Sequence, residues 1–123
     1  MLEILPESIY RLFNEKYRLI ILSICGILIS MIVSFKSKEA KKIFDGNLSK
    51  KLPQFIQQTA YDKLQIMDAA TELNDLRVPP SNHLEKLKGT RKKQYSIRIN
   101  DRYRICFEWI NKNIHNVEIV DYH

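Results

Sequence analysis

Beyond residue 30 the chain changes hydrophobic period once, and that change orders its elements. MIVSF (31–35), rich in β-branched and aromatic residues, reads as an edge or first strand. Ser37 is placed to cap a helix with Glu39 in its first turn, and SKEAKKIF runs into Asp45, Gly46 and Asn47, a turn or helix stop. Pro53 suits a first-turn position, after which Phe55 or Ile56, Ala60, Leu64 and Met67 recur at three- and four-residue spacing to about residue 72. That stripe predicts an amphipathic helix whose apolar face is core. Pro79 and Pro80 interrupt regular structure, and past Asn82 the period becomes two. LEKLK (84–88) is a candidate strand, GTRKK (89–93) a basic turn, QYSIRIN and YRICFEWI strands around a turn at Asp101, and NVEIVDYH the last segment. Helices before strands predict an α+β fold, two N-terminal helices packed on an antiparallel β-sheet.

The alternation also selects a register. Pairing residues whose numbers sum to 202 sets Tyr95 against Phe107, Ile97 against Ile105 and Ile99 against Tyr103, whereas 203 sets Ile99 against Arg104. A one-residue slip scrambles both faces. The first register leaves a loop of Asn100, Asp101 and Arg102, and places Ser96, Arg98, Arg104 and Cys106 together on the face away from the core. Continuing with a sum of 224 opposes Phe107 to Val117 and Ile105 to Ile119, with Tyr122 on the arginine face. His83 falls on the face of Glu85 if the strand extends that far.

Length and composition narrow the class. A chain of 123 residues with 45% hydrophobic and 28% charged residues can bury one core without staples. Cys25 and Cys106 lack a CxxC spacing, His83, His115 and His123 lack an HxxxH spacing, and the three glycines form no phosphate-cradling loop. No metal or cofactor is indicated, and a reducing, cytoplasmic compartment fits the cysteine usage. The net charge of +6 points to a polyanion, nucleic acid or anionic membrane.

That charge lies wholly beyond residue 30, because residues 1–30 hold three basic and three acidic side chains. Leu19 to Phe35 is an uncharged run of 17 residues, at the lower edge of a membrane span. Three readings stay open for it: a membrane anchor, an element packed on the domain, or residues upstream of a functional start at Met31. The domain division that follows is an N-terminal extension, 1–30, and a folded domain, 31–123.

Between Lys86 and Arg104 the chain holds eight basic residues and one acid, more charge than the whole protein carries net. Such a run can be no more than a solvated face. Arginines alternating with apolar strand residues, beside a tyrosine, also suit phosphate gripping and base stacking. RNA cleavage by its own 2′-OH needs a base, an acid and cations on the phosphorane, and no metal. Glu85, Asp121, Tyr122 and His123 are the available proton handlers, and Lys88, Arg91, Arg98 and Arg104 the cations.

NHLEKLKGTR (82–91), YSIRIND (95–101), RICFEW (104–109) and VEIVDYH (117–123) together resemble the HigB toxins of the RelE-like superfamily, also called plasmid maintenance system killer proteins. The resemblance covers residues 31–123 and leaves residues 1–30 without a counterpart. It implies a ribosome-dependent mRNA endonuclease that inhibits translation, held by a HigA antitoxin with a helix-turn-helix domain; a membrane partner is not expected. Position by position it matches Lys88, Arg91 and Arg104, on which reading Lys88 and Arg104 stabilise the reacting phosphate and Arg91 holds RNA, while Lys92, Lys93 and Arg98 of the basic run are candidates to hold RNA by their charge. Asp121, Tyr122 and His123 form the terminal acid, tyrosine and histidine of the site, with His123 first for proton transfer and Glu85 second. Some relatives have a histidine where this chain has Glu85, and the position before the sheet arginine, often tryptophan, is Tyr103. The alternative is a noncatalytic basic module that binds RNA or ribosomes, with or without a tether through residues 19–35.

Overall fold

A computed structural model describes residues 31–122 of the chain. The expectations for residues 1–30, for most of the uncharged run and for His123 fall outside the described residues. Helix α1, Lys38–Phe44, starts where the Ser37 hydroxyl accepts the amides of Glu39 and Ala40 at 3.2 and 3.3 Å. Glu39 in its first turn and Lys41 and Lys42 in its last oppose the helix dipole, and Gly46, at φ 89°, carries the chain away from it.

Helix α2, Gln54–Ala69, has Pro53 at its N-cap and turns Ile56, Ala60, Leu64 and Met67 into the core. It stops short of residue 72 because Asp75 offers a competing acceptor. Its carboxylate takes the Thr71 amide at 3.0 Å, the Thr71 hydroxyl at 2.7 Å and the Glu72 amide at 3.1 Å, folding the chain into a 3₁₀ turn, Leu73–Arg77. Buried Gln57 satisfies the loop before α2, accepting from the Ser49 amide and donating to the carbonyls of Ser49 and Leu52 at 2.8 to 2.9 Å.

Strands β1, Glu85–Lys86, β2, Gln94–Arg98, β3, Tyr103–Ile110, and β4, Asn113–Asp121, form one antiparallel sheet in sequential order. The fold is therefore α+β, two helices followed by an antiparallel sheet. MIVSF runs parallel along β4, with bridges Ile32 to Ile114 and Phe35 to Val117. The buried Asp68 carboxylate of α2 accepts the Ile32 amide at 2.8 Å, tying this segment to the helix layer. The core lies between that layer and Ile97, Ile105, Phe107, Ile114 and Val117.

The β2–β3 register pairs Tyr95 with Phe107, Ile97 with Ile105 and Arg98 with Arg104, as the apolar alternation requires. In the β3–β4 pair, Ile105 opposes Ile119 and Cys106 opposes Glu118, but Glu108 opposes His115, so the register shifts by one around Phe107. The cause is a conflict between turn and pattern. Asn111 and Lys112, at φ 50° and 65°, make a two-residue turn that pairs Ile110 with Asn113, one out of step with the apolar match further along. Asn116, at φ 55°, absorbs the extra residue as a bulge, its amide donating to Ser34 Oγ at 2.9 Å and its side chain to Glu108 at 2.7 Å. The 84–88 strand is likewise shorter than its alternation suggests. His83 lies at φ 44° after a 3₁₀ turn, Pro80–Asn82, whose buried Asn82 side chain donates to the carbonyls of Leu76 and Val78. His83 is thus not a strand residue sharing a face with Glu85.

Candidate active site

The face of the sheet away from the helices carries Glu85, Ser96, Arg98, Arg104, Cys106 and Glu118, because Glu85 pairs with Ser96, Ser96 with Cys106 and Cys106 with Glu118. Arg104 is the most tightly held of its cations, with its side chain 11% exposed. Its Nε donates to Ser96 Oγ at 2.8 Å, and its Nη2 donates to the Ser96 carbonyl at 3.3 Å and to the His83 carbonyl. Glu85 Oε2 stands 3.9 Å from the same Nη2. Among the described residues Nη1 donates to none, so the guanidinium is oriented through one edge and leaves an amino group for an added acceptor. His83 contributes through its backbone: the αL turn that removes it from the strand aims its carbonyl at Arg104.

Arg91 comes to this face from a short 3₁₀ turn, Gly89–Arg91. Its Nη1 donates to Gln94 Oε1 at 3.0 Å and to Glu118 Oε1 at 2.8 Å, and the Glu118 bond raises the arginine's pKa further above its ordinary value. Glu118, only 13% exposed, also lies 3.8 Å from Lys36 Nζ. Cys106, fully buried, sits in the field of Arg91, Glu118, Arg104 and Lys36, and burial pushes its thiol pKa up, so it is a packing residue.

The expected residues divide. Arg104, Glu85 and Arg91 share this face. Tyr122, 42% exposed, bears on the electrostatics of Arg91, while its amide donates to the Arg102 carbonyl at 2.6 Å. Lys88 is exposed at the N-cap of the 3₁₀ turn, without an ion-pair partner among the described residues. Arg98 is bonded to Asp101 of the β2–β3 turn. Asp121, one register position from Tyr122 and so directed to the other face, takes a two-pronged bond from Arg102 at 2.8 to 3.0 Å. Lys92 and Lys93 line a depression at the end of the sheet with Lys86, Tyr95, Glu108, Trp109 and Ile110.

Glu118 and the His83 carbonyl escaped the sequence reading. The Arg91–Glu118 pair spans 27 residues, and only the paired strands between them bring it together. Among the described residues no three His, Cys, Asp or Glu side chains converge to hold a metal, and no helix is long and apolar enough to cross a membrane.

The sequence that builds this face matches a known group of proteins. The family model described as the RelE-like toxin of the type II toxin-antitoxin system HigB matches residues 33–123. The chain is 38% identical over 82 residues to Toxin HigB-1 of Vibrio cholerae, covering 66% of this chain and 86% of that protein. It is 34% identical over 93 residues to Endoribonuclease HigB of Proteus vulgaris, covering 76% of this chain and all of that protein. A Haemophilus influenzae protein of uncharacterized function is 38% identical over 72 residues, 58% of this chain and 71% of its own length. The chain belongs to the HigB-like toxin family, the RelE-like toxins of type II toxin-antitoxin systems.

Proposed function

We propose that this chain is an endoribonuclease that cleaves messages under translation on the ribosome, arrests growth in the cytoplasm, and is neutralised by a HigA-type helix-turn-helix antitoxin. The observation that carries the reading is the Arg104 guanidinium, pinned on Ser96 and the His83 carbonyl with Nη1 left over. A cation oriented before substrate arrives stabilises developing phosphorane charge without reorganising at the moment of reaction. The Proteus vulgaris relative, matched over its whole length, is named an endoribonuclease.

The reaction needs no outside reagent. The message's own 2′-oxygen attacks the adjacent phosphorus, its proton passing to a base, while the bond from phosphorus to the 5′-oxygen breaks and that oxygen takes a proton from an acid. The products are a 2′,3′-cyclic phosphate and a 5′-OH. Arg104, with Lys88, carries the phosphorane charge, Arg91 and Arg98 hold RNA, and Tyr122 stacks on or orients a base. His123 handles the proton first and Glu85 second, while Asp121, turned to the other face and held by Arg102, positions the chain end. Arg91 and Arg98 each hold a carboxylate in the free protein, Glu118 and Asp101, so RNA phosphate takes them by exchange.

The test is induction in bacteria of the wild-type chain and Arg104→Ala, with growth followed and message 5′ ends mapped. Growth arrest with cuts inside translated frames, lost in the variant, is the expected outcome. A fully toxic Arg104→Ala protein sinks the reading, and RNA binding without new ends replaces it with a noncatalytic module.

A further inference from the structure

Lys92 and Lys93 do not join Arg104. With Lys86 they rim a depression of about 310 Å³ lined also by Tyr95, Trp109, Ile110 and Glu108. Lys86 pairs with Tyr95, and Tyr95 with Phe107, so Lys86, Tyr95 and Trp109 belong to the helix side of the sheet, while Glu108 and Ile110 alternate onto the other face and the depression wraps the end of the sheet. Both rings are anchored and still partly open: Tyr95 stacks on buried Phe107 with centroids 6.1 Å apart, and Trp109 packs against the core edge. Glu108, the single acid present, already accepts from Asn116 Nδ2 at 2.7 Å. None of the three lysines has an ion-pair partner among the described residues.

Half-open aromatic rings beside unpaired ammonium groups suit an unpaired nucleotide, base against ring and phosphate against ammonium. The volume is at the small end of ligand sites, right for one planar group. An acidic peptide would use the ammonium groups but leave the rings idle. We infer that this depression binds one unpaired ribonucleotide, a second RNA contact at the 108–110 end of β3, away from Arg104 along the strand. The 89–93 turn would then grip RNA twice, through Arg91 beside Glu118 and through Lys92 with Lys93 at the depression. The inference rests on the RNA reading only in taking RNA as the ligand.

Trp109 is the single tryptophan of the chain, so its fluorescence reports this site alone. The full chain is titrated with a short single-stranded oligonucleotide carrying 2′-O-methyl groups, which cannot be cleaved. The expected result is a saturable change in Trp109 emission, retained in Arg104→Ala. In a protein carrying both Lys92→Gln and Lys93→Gln the affinity falls about tenfold and the log–log salt slope by about 1.4, the share of two lost phosphate contacts. Both lysines are exposed, and an unchanged melting curve confirms the variant's fold. An emission change lost in Arg104→Ala but kept in the double variant overturns the inference, as does no change at all, or an equal response to a polyglutamate peptide. A toxic Arg104→Ala protein with the expected emission behaviour removes the cleavage reading and leaves this site standing.

Discussion

On the helix side of β2 and β3, Ile97, Ile105 and Phe107 are closed to water by packing against α1, α2 and β4. On the other side Ser96 and Cys106 are closed to water as completely, but among Arg91, Arg104 and Glu118. The first kind of burial removes apolar area from water and stabilises the fold in proportion to that area. The second holds ions in partial burial, where desolvation cancels much of their attraction, so its return is fixed geometry and not stability. One sheet thus separates what keeps the domain folded from what gives it chemistry, and substitutions on the two faces should fail in different assays.

The widest separation is expected from Phe107→Ala, which should cost about 3–5 kcal/mol in urea unfolding with an unchanged m-value. Arg104→Ala should instead lose about 100- to 1,000-fold in RNA cleavage while shifting the unfolding midpoint less than Phe107→Ala does. Equal destabilisation by the two would erase the contrast between the faces. Ser96→Ala sharpens it, since the lost acceptor should cost about 1 kcal/mol of stability yet release Arg104 Nε and lower cleavage at saturating RNA. Full activity in that variant would show that Ser96 does not orient the arginine. Ser37→Ala, remote from the polar face, should cost about 1 kcal/mol through the lost cap and leave cleavage per folded molecule unchanged.

The smallest effect is a pH dependence on the helical side. The Ser49 hydroxyl lowers the pKa of Glu39, and the Thr71 hydroxyl lowers that of Asp75. Each carboxyl binds its proton more weakly folded than unfolded. The stability they contribute is therefore present above the ordinary carboxylate pKa and declines as pH falls through their lowered folded values. Urea midpoints measured down this acid limb should fall less steeply in Thr71→Val, and an unchanged slope would assign the limb to other groups.

Local signals carried much of the architecture. Ser37, the apolar stripe of α2 and the alternation of β2 and β3 each state their element through contacts within a few residues, and the β2–β3 register was legible because one slip would have put Arg104 in the core. The β4 bulge was not, since the apolar match and the Asn111–Lys112 turn require different registers and the alternation contains only the first. The short β1 and the position of His83 depended on Asn82, whose two backbone partners lie upstream in the proline segment.

The candidate site divides along the same line. The sequence by itself determined that Arg104 lies on the polar face beside Ser96, because strand parity and a single hairpin suffice for that. The tertiary structure alone decided that the His83 carbonyl reaches Arg104, that Glu118 clamps Arg91, that Asp121 answers to Arg102, and that Lys92 and Lys93 turn away toward Trp109. These are matters of where side chains distant in sequence end, and they are set by turn geometry and strand pairing, which a hydrophobic pattern constrains only on the face it buries.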